Sequence, residues 1–231
     1  MLQRLLHFLA PSPVWAALRM EFYLFRIRQT RGRLQQQHAD AHEALVNFGA
    51  GSSGHADWIN VDAYRCPGVN LVWDCRYPLP LPDACARGIF SEHFLEHLEY
   101  ETEARDFLRE CHRIMRPGAV IRIIVPDAGA YTKAYSTSDW QDLIRLRQLR
   151  DGRTDPAYPI TYQTKMQLIN VLYRQFGEHK YAYDGETLAA LLEEVGFSEA
   201  KVVAYGQSRM PELAIDLEVR APESLYVEAV K

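Results

Sequence analysis

Leu45-Val46-Asn47-Phe48-Gly49-Ala50-Gly51-Ser52-Ser53-Gly54 decides how this chain of 231 residues is read. An apolar run enters a glycine-rich loop, and a second strand-like run, Trp58-Ile59-Asn60-Val61, ends on Asp62. Strand, glycine loop, strand and acidic residue is the layout of a nucleotide site at the edge of a parallel sheet. Glycine lets the backbone turn sharply and approach a ligand with no Cβ in the way. The N–H groups bared by such a turn hold anionic groups. A carboxylate at the tip of the next strand can accept the hydroxyl protons of a ribose.

Spacing narrows the reading. Gly49, Gly51 and Gly54 spell the dinucleotide pattern G-x-G-x-x-G, which sets its acidic residue about 20 residues further on. Asp62 follows Gly49 by only 13. A parallel crossover needs a dozen or more residues, most of them helix, so the helix in this crossover is a turn or less. That counts against a nicotinamide cofactor and hydride transfer.

Downstream, Asn70-Leu71-Val72-Trp73 reads as a third strand ending on Asp74, and Pro78, Pro80 and Pro82 stiffen the loop after it. Gly88-Ile89-Phe90-Ser91-Glu92 is a fourth strand. Residues 99–115 place Ala104, Phe107, Leu108, Cys111, Ile114 and Met115 on one helix face, and Pro117-Gly118 stops that helix. Ala119–Val125 is apolar except for Arg122, as in a strand buried inside a parallel sheet. Residues 128–178 are too long for a plain connection and read as a helical cap, with helices near 139–149 and 163–176. Asp184 is an N-cap ahead of Leu188, Leu191, Leu192 and Val195, and Gly196 ends that helix. Lys201–Tyr205 and Leu225–Val230 close the chain as strands. The expected class is α/β: a Rossmann-like, doubly wound, mostly parallel sheet of seven strands with an antiparallel last strand.

Upstream, residues 1–43 form a basic helical arm ahead of a domain spanning 44–231. Its first 37 residues hold six arginines (Arg4, Arg19, Arg26, Arg28, Arg31, Arg33) against Glu21 alone, in a chain of net charge −4. Pro11 and Pro13 divide it into a short and a longer helix. The arm is read as packing on the domain or on a second copy in a homo-oligomer. Docking on an anionic membrane surface is the alternative. Net negative charge excludes general nucleic-acid binding. No run of about 18 apolar residues suggests a membrane span. Arg4 and His7 break the N-terminal apolar stretch, so a signal peptide is not expected. Cys66, Cys75, Cys85 and Cys111 include no C-x-x-C pair, hence neither a zinc site nor a disulfide frame is indicated. A reducing cytoplasm suits them, at the inner membrane if the arm docks there.

These residues together resemble class I S-adenosylmethionine-dependent methyltransferases. The resemblance is carried by Val46-Asn47-Phe48-Gly49-Ala50-Gly51 with Asp62, by Asp74 and the Pro-Leu-Pro-Leu-Pro-Asp loop (78–83), and by Ser91-Glu92-His93-Phe94-Leu95-Glu96-His97-Leu98 and Met115-Arg116-Pro117-Gly118-Ala119-Val120. It runs over about 44–127 and resumes over about 178–231, at His179-Lys180-Tyr181, Gly196-Phe197 and Pro222–Glu228. It is similar to a bacterial branch associated with polysaccharide and glycolipid biosynthesis. The resemblance implies S-adenosyl-L-methionine as cofactor. Gly49, Ala50 and Gly51 would pass beside its methionine moiety. Asp62, with Ala63 beside it, would hold the ribose, and Asp74 and the Cys75 backbone would face the adenine. Ser91 and Glu92 would lie near the transferring methyl group. The short first crossover departs from the usual helix terminus, so Ser52 and Ser53 would substitute for it.

A sulfonium methyl is already activated, so the protein must align the acceptor and exclude water. For a hydroxyl acceptor a histidine base helps. His93, His97 and His179 are candidates, with His179 favoured and Asp127 at the fifth strand tip able to orient one of them. His93-Phe94-Leu95-Glu96-His97 also spells H-x-x-E-H, a pattern of certain zinc peptidases. That reading needs both histidines on one helix face and a third ligand. No metal is assigned; Leu95 and Leu98 are expected to pack, with Glu96 and His97 in local hydrogen bonds. The expected activity is O-methylation of a sugar or glycoconjugate. Another small molecule or a lipid as acceptor, or a silent cofactor-binding scaffold subunit, are the alternatives.

Overall fold

In the computed structural model, residues 12–231 are described. Seven strands form one sheet: β1 (Ala44–Phe48), β2 (Ile59–Asp62), β3 (Leu71–Val72), β4 (Ala86–Glu92), β5 (Met115–Pro126), β6 (Ser198–Val203) and β7 (Ser224–Val230). Their spatial order is 3-2-1-4-5-7-6. Strands β1 to β5 pair in parallel, and β7 lies antiparallel between β5 and β6. This is the expected Rossmann-like sheet with its antiparallel last strand. Register aligns the functional ends: Phe48 pairs with Val61 on one side and with Ser91 on the other. Gly49, Asp62 and Glu92 therefore leave the sheet along one edge, at the carboxyl ends of three adjacent strands, where ligands of such sheets bind.

Several helices flank the sheet: α1 (Ser12–Arg28), α2 (Arg31–Gln37), α3 (Arg105–Ile114), α4 (Ala128–Ser136), α5 (Gln141–Arg147), α6 (Lys165–Arg174) and α7 (Gly185–Val195). Phe107, Leu108, Cys111 and Ile114 form the buried face of α3, and a π-helical turn over Tyr100–Ala104 precedes it. The Asp184 side chain accepts from the Thr187 N–H to open α7, and Gly196 closes it at φ 112°. Strand β5 starts earlier than expected, at Met115, which pairs with Ala86. Strand β6 also shifts, to Ser198–Val203, with a bulge between Ser198 and Lys201. Helix α4 was not expected, because Asp127 reads as a strand tip; its side chain instead caps α4 by accepting from the Ala130 N–H. Helices α4, α5 and α6 build a second small core around Tyr131, Leu143, Leu146, Tyr162, Leu168 and Leu172.

The expected short helix before Pro11 lies outside the described residues. Together with Leu34 of α2, Leu24 and Ile27 join the main core through the longer helix of the arm, α1, which packs on the domain. Its opposite face leaves Val14, Leu18, Phe22 and Phe25 exposed. Among the described residues no helix is long and apolar enough to cross a membrane.

Candidate active site

The glycine loop is held by side chains where a crossover helix would ordinarily stand. No helix lies between β1 and β2. Buried Asn60 replaces it: its Oδ1 accepts from the His55 N–H at 2.9 Å, and its Nδ2 donates to the His55 carbonyl at 2.8 Å. Asn47 Nδ2 donates to the Ser53 carbonyl at 3.2 Å and to Asn60 Oδ1 at 3.3 Å. Two strand asparagines thus satisfy loop backbone groups that burial would leave unpaired. Gly49 sits at φ 70°, and a Cβ there would come within 2.6 Å of Phe94 Cβ. Gly54 lies against Gly68, whose carbonyl oxygen would be 2.6 Å from a Cβ at position 54. Gly54 is therefore needed for loop-to-loop contact.

Asp62 closes the loop from the other side. One carboxylate oxygen accepts from the Gly51 N–H at 2.9 Å and the other from the Tyr64 N–H at 2.8 Å. Each oxygen keeps a lone pair for a further donor. Asp74 is buried and receives Arg28 Nη1 at 2.8 Å and Arg76 Nε at 2.9 Å. Burial alone would raise the Asp74 pKa, but the hydrogen bonds and charge of Arg76, with Arg28 behind them, hold it below the ordinary carboxylate value. Tyr23 of the arm donates to the Ala63 carbonyl at 3.1 Å and stacks on Tyr64. The arm therefore covers the Asp62–Ala63–Asp74 side of the edge. Cys75 is buried next to it, and burial pushes its thiol well above the usual pKa.

Beyond the loop lies a cavity of about 190 Å³, lined by Asn47, Gly49 to Ser53, His55, Phe90, Glu92, Ile215, Leu217 and Arg220. Gly49, Ala50, Gly51, Ser52 and Glu92 were expected here. Asp62, Ala63, Asp74 and Cys75 flank it on the side the arm covers. Ser91 is fully buried and its hydroxyl has no hydrogen-bond partner. Burial raises the Glu92 pKa, against a hydrogen bond from the Leu217 N–H at 3.2 Å. Ile215, Leu217 and Arg220 come from the long β6–β7 connection. Its sequence has no helical or strand periodicity, so only Arg122, the one charge in the apolar run Ala119–Val125, marks its anchor. Arg122 is fully buried. Its Nε donates to Asp216 at 2.7 Å and its Nη1 to Glu228 at 2.9 Å and to the Gln207 carbonyl at 2.8 Å. This cluster pins the connection to the sheet and so builds one wall of the cavity.

A second cavity, of about 360 Å³, is lined among others by His93, Arg147, Gln148, Tyr158, His179 and Glu223, and Arg220 lines both cavities. Glu223 ties the cap to the domain, accepting from Arg147 Nη1 at 2.7 Å. His93 occupies a left-handed turn (φ 52°) right after β4, and its Nε2 lies 2.8 Å from the Ser224 hydroxyl. Burial, and next the charge of Arg220, hold its pKa well below the ordinary histidine value. His179 Nδ1 lies 2.6 Å from the Leu172 carbonyl, and burial brings its pKa down to about 4. Both histidines are thus neutral at pH 7 and able to accept a proton. Asp127, expected to orient one of them, instead spends its carboxylate on the α4 cap. Leu95 and Leu98 pack as expected, but the Glu96 carboxylate departs from expectation. It is buried with neither oxygen hydrogen-bonded, and burial pushes its pKa up to about 8.

Residues 62–123 match the family model described as a methyltransferase domain. The fold is similar to a SAM-dependent methyltransferase from Archaeoglobus fulgidus, at 20% identity and a TM-score of 0.51, covering 89% of this chain and 94% of the other. It is also similar to a SAM-dependent methyltransferase from Thermotoga maritima, at 15% identity and a TM-score of 0.50, covering 93% and 96%. No curated protein matches the chain. The fold is therefore that of S-adenosylmethionine-dependent methyltransferases, and the segment from the tip of β2 into β5 matches a methyltransferase domain.

The residues present fit that cofactor. Asp62 keeps free lone pairs beside the loop for the ribose hydroxyls, and Glu92 and the loop backbone offer partners to the amino-acid end. A cavity of about 190 Å³ falls short of the ~300–1,000 Å³ typical of small-molecule pockets. It would hold the methionine end alone; Asp74, paired with Arg28 and Arg76 under the arm, does not line it. When bound, the cofactor supplies an activated methyl group. Asp62, Glu92 and the loop backbone would orient it, and the β6–β7 connection, which lines the cavity through Ile215, Leu217 and Arg220, would screen it from water.

Proposed function

We propose that the protein methylates a hydroxyl oxygen of a sugar or glycoconjugate, with the second cavity holding the acceptor. The observation that carries this reading is the cavity lining. Arg147, Arg150, Gln148, Gln175 and Glu223 line it together with Tyr158, a polar and aromatic lining that suits a polyhydroxylated ring. Arg220, shared with the cofactor cavity, sets the acceptor next to the methyl donor. Neutral His93 serves as the base that takes the hydroxyl proton. The alignment of acceptor and methyl group supplies most of the acceleration.

The test is methyl transfer from labelled S-adenosylmethionine to matched panels of sugars, sugar nucleotides, phenols, amines and lipids. Labelled sugar ethers support the proposal, with Tyr158→Ala raising KM about tenfold. Turnover of amines or lipids alone overturns it.

The arm supports a second, separable reading at an anionic membrane surface. Val14, Leu18, Phe22 and Phe25 are exposed at helical spacing, with Arg19 and Arg26 on the same helix. Flotation with vesicles containing anionic lipid should carry the protein, and Phe22→Glu with Phe25→Glu should abolish it. Equal recovery with neutral vesicles sinks this reading.

A further inference from the structure

Glu96 is a buried carboxylate with no hydrogen bond to either oxygen. Such a group is costly unless a cation or donor meets it. Three imidazoles face it: His93 Nδ1 lies 3.6 Å from Glu96 Oε1, and donor atoms of Glu96, His97 and His179 all lie within 4.8 Å of one another. His179 Nε2 is 4.0 Å from Glu96 Oε1, and the His97 and His179 rings meet edge to face with centroids 4.9 Å apart.

Both rings are also oriented from behind. His97 Nδ1 lies 3.2 Å from the Glu178 carbonyl and His179 Nδ1 lies 2.6 Å from the Leu172 carbonyl. A carbonyl can only accept, so each Nδ1 carries the proton and each Nε2 keeps its lone pair. A ring N–H given to a backbone carbonyl is the usual support of a metal-ligating histidine. The backbone holds the segments together as well: the N–H groups of Lys180 and Tyr181 donate to the Glu96 carbonyl at 2.8 and 3.3 Å. His179 is thereby fixed beside Glu96, from 83 residues further along the chain.

We infer that Glu96, His97 and His179 form a binding site for a divalent first-row transition-metal ion, Zn²⁺ or a near relative, at the border of the second cavity. Two imidazoles and one carboxylate are a donor set for Zn²⁺ and Fe²⁺. The peptidase geometry that H-x-x-E-H suggests does not form. Leu95–His97 is a single 3₁₀ turn, and His93, in its left-handed turn, sets Nε2 on Ser224 and leaves Nδ1 3.6 Å from Glu96 Oε1, behind the carboxylate. The third ligand comes from the end of the cap, and His179 lines the second cavity, so a bound ion borders the space assigned to the acceptor. That placement rests on the proposed function; the metal site itself does not.

The experiment is titration of the metal-free, full-length protein with Zn²⁺ alone, followed by calorimetry and elemental analysis, with Co²⁺ absorption as a report on the ligands. The expected result is one equivalent bound, with Glu96→Gln and His179→Ala each weakening binding about tenfold or more. His42→Ala, at an exposed position, should bind as the natural chain does. Should Glu96→Gln fail to fold, His97→Gln carries the same expectation. Absence of Zn²⁺ binding by the folded chain, or equal binding by the cluster variants, overturns the inference. S-adenosylmethionine binding measured in parallel separates this outcome from failure of the methyltransferase reading.

Discussion

Arg28 Nη1 of the N-terminal arm donates to Asp74 Oδ2 at 2.8 Å, across 46 residues of sequence. Arg28 also lies over the Tyr77 ring at 4.3 Å, and Arg76 shares the same carboxylate. The arm is thus joined to the carboxylate that the resemblance assigns to the adenine. Arm and nucleoside side form one structure. Arg28→Ala should lower stability by roughly 1–3 kcal/mol, with Arg76 limiting the loss. Hydrogen exchange checks it: amides of α1 should exchange faster, while those of β4 and β5 stay protected. Unchanged exchange in α1 would mean that Leu24, Ile27 and Leu34 hold the arm alone.

Asp74 also sets an acid dependence. Its folded pKa is below the unfolded value of 3.8. A carboxylate with a depressed folded pKa stabilises the native state fully above the unfolded pKa. That contribution is lost as pH falls through the folded pKa. The arm should therefore loosen below about pH 3.8 and be unaffected between pH 5 and 8. In Asp74→Asn this acid-dependent share should be missing. An acid titration of α1 exchange that is identical in both proteins would refute it.

Gly49 sits at φ 70° against Phe94. Gly49→Ala forces both a left-handed alanine and a 2.6 Å approach to the half-buried Phe94 Cβ. It should cost roughly 1–3 kcal/mol and weaken cofactor affinity by displacing the loop. Thermal melting and cofactor titration read the two effects separately. A variant of natural stability and affinity would show that the loop tolerates a side chain there.

Arg122 bridges Asp216 and Glu228 where water is excluded. Arg122→Met leaves both carboxylates buried and unpaired, at a cost of about 3–5 kcal/mol. The β6–β7 connection should detach first, because Asp216 and the Gln207 carbonyl are its anchors. Limited proteolysis near residues 204–217 should accelerate before the sheet unfolds. Cleavage only on global unfolding would contradict that order.

What could be read from the residues follows from how local each signal is. The Gly49–Gly51 turn, the short crossover to Asp62, the apolar strand around Ile121 and the Asp184 cap are each decided within about ten residues. All of them appear in the fold. Helix α4 was missed because Asp127 serves two readings, strand tip and N-cap, and the cap prevailed. The Asn47–Asn60 brace, the Arg28–Asp74 pair and the Ile215–Arg220 wall were invisible because each depends on which distant segments the sheet brings together. Arg122 was noticed as the one charge in an apolar strand, but its partners lie 94 and 106 residues away. Likewise, H-x-x-E-H drew attention to Glu96, and only the packing of the cap end placed His179 beside it.

The most direct test of the central claim is calorimetric titration of the full-length protein with S-adenosylmethionine and, separately, with NADH. The account predicts one-to-one binding of S-adenosylmethionine, with a Kd on the order of micromolar, and no binding of NADH. Asp62→Ala should weaken the first about tenfold or more by removing the ribose acceptor. Binding of NADH instead, or binding of S-adenosylmethionine unchanged by Asp62→Ala, would contradict the assignment of the site.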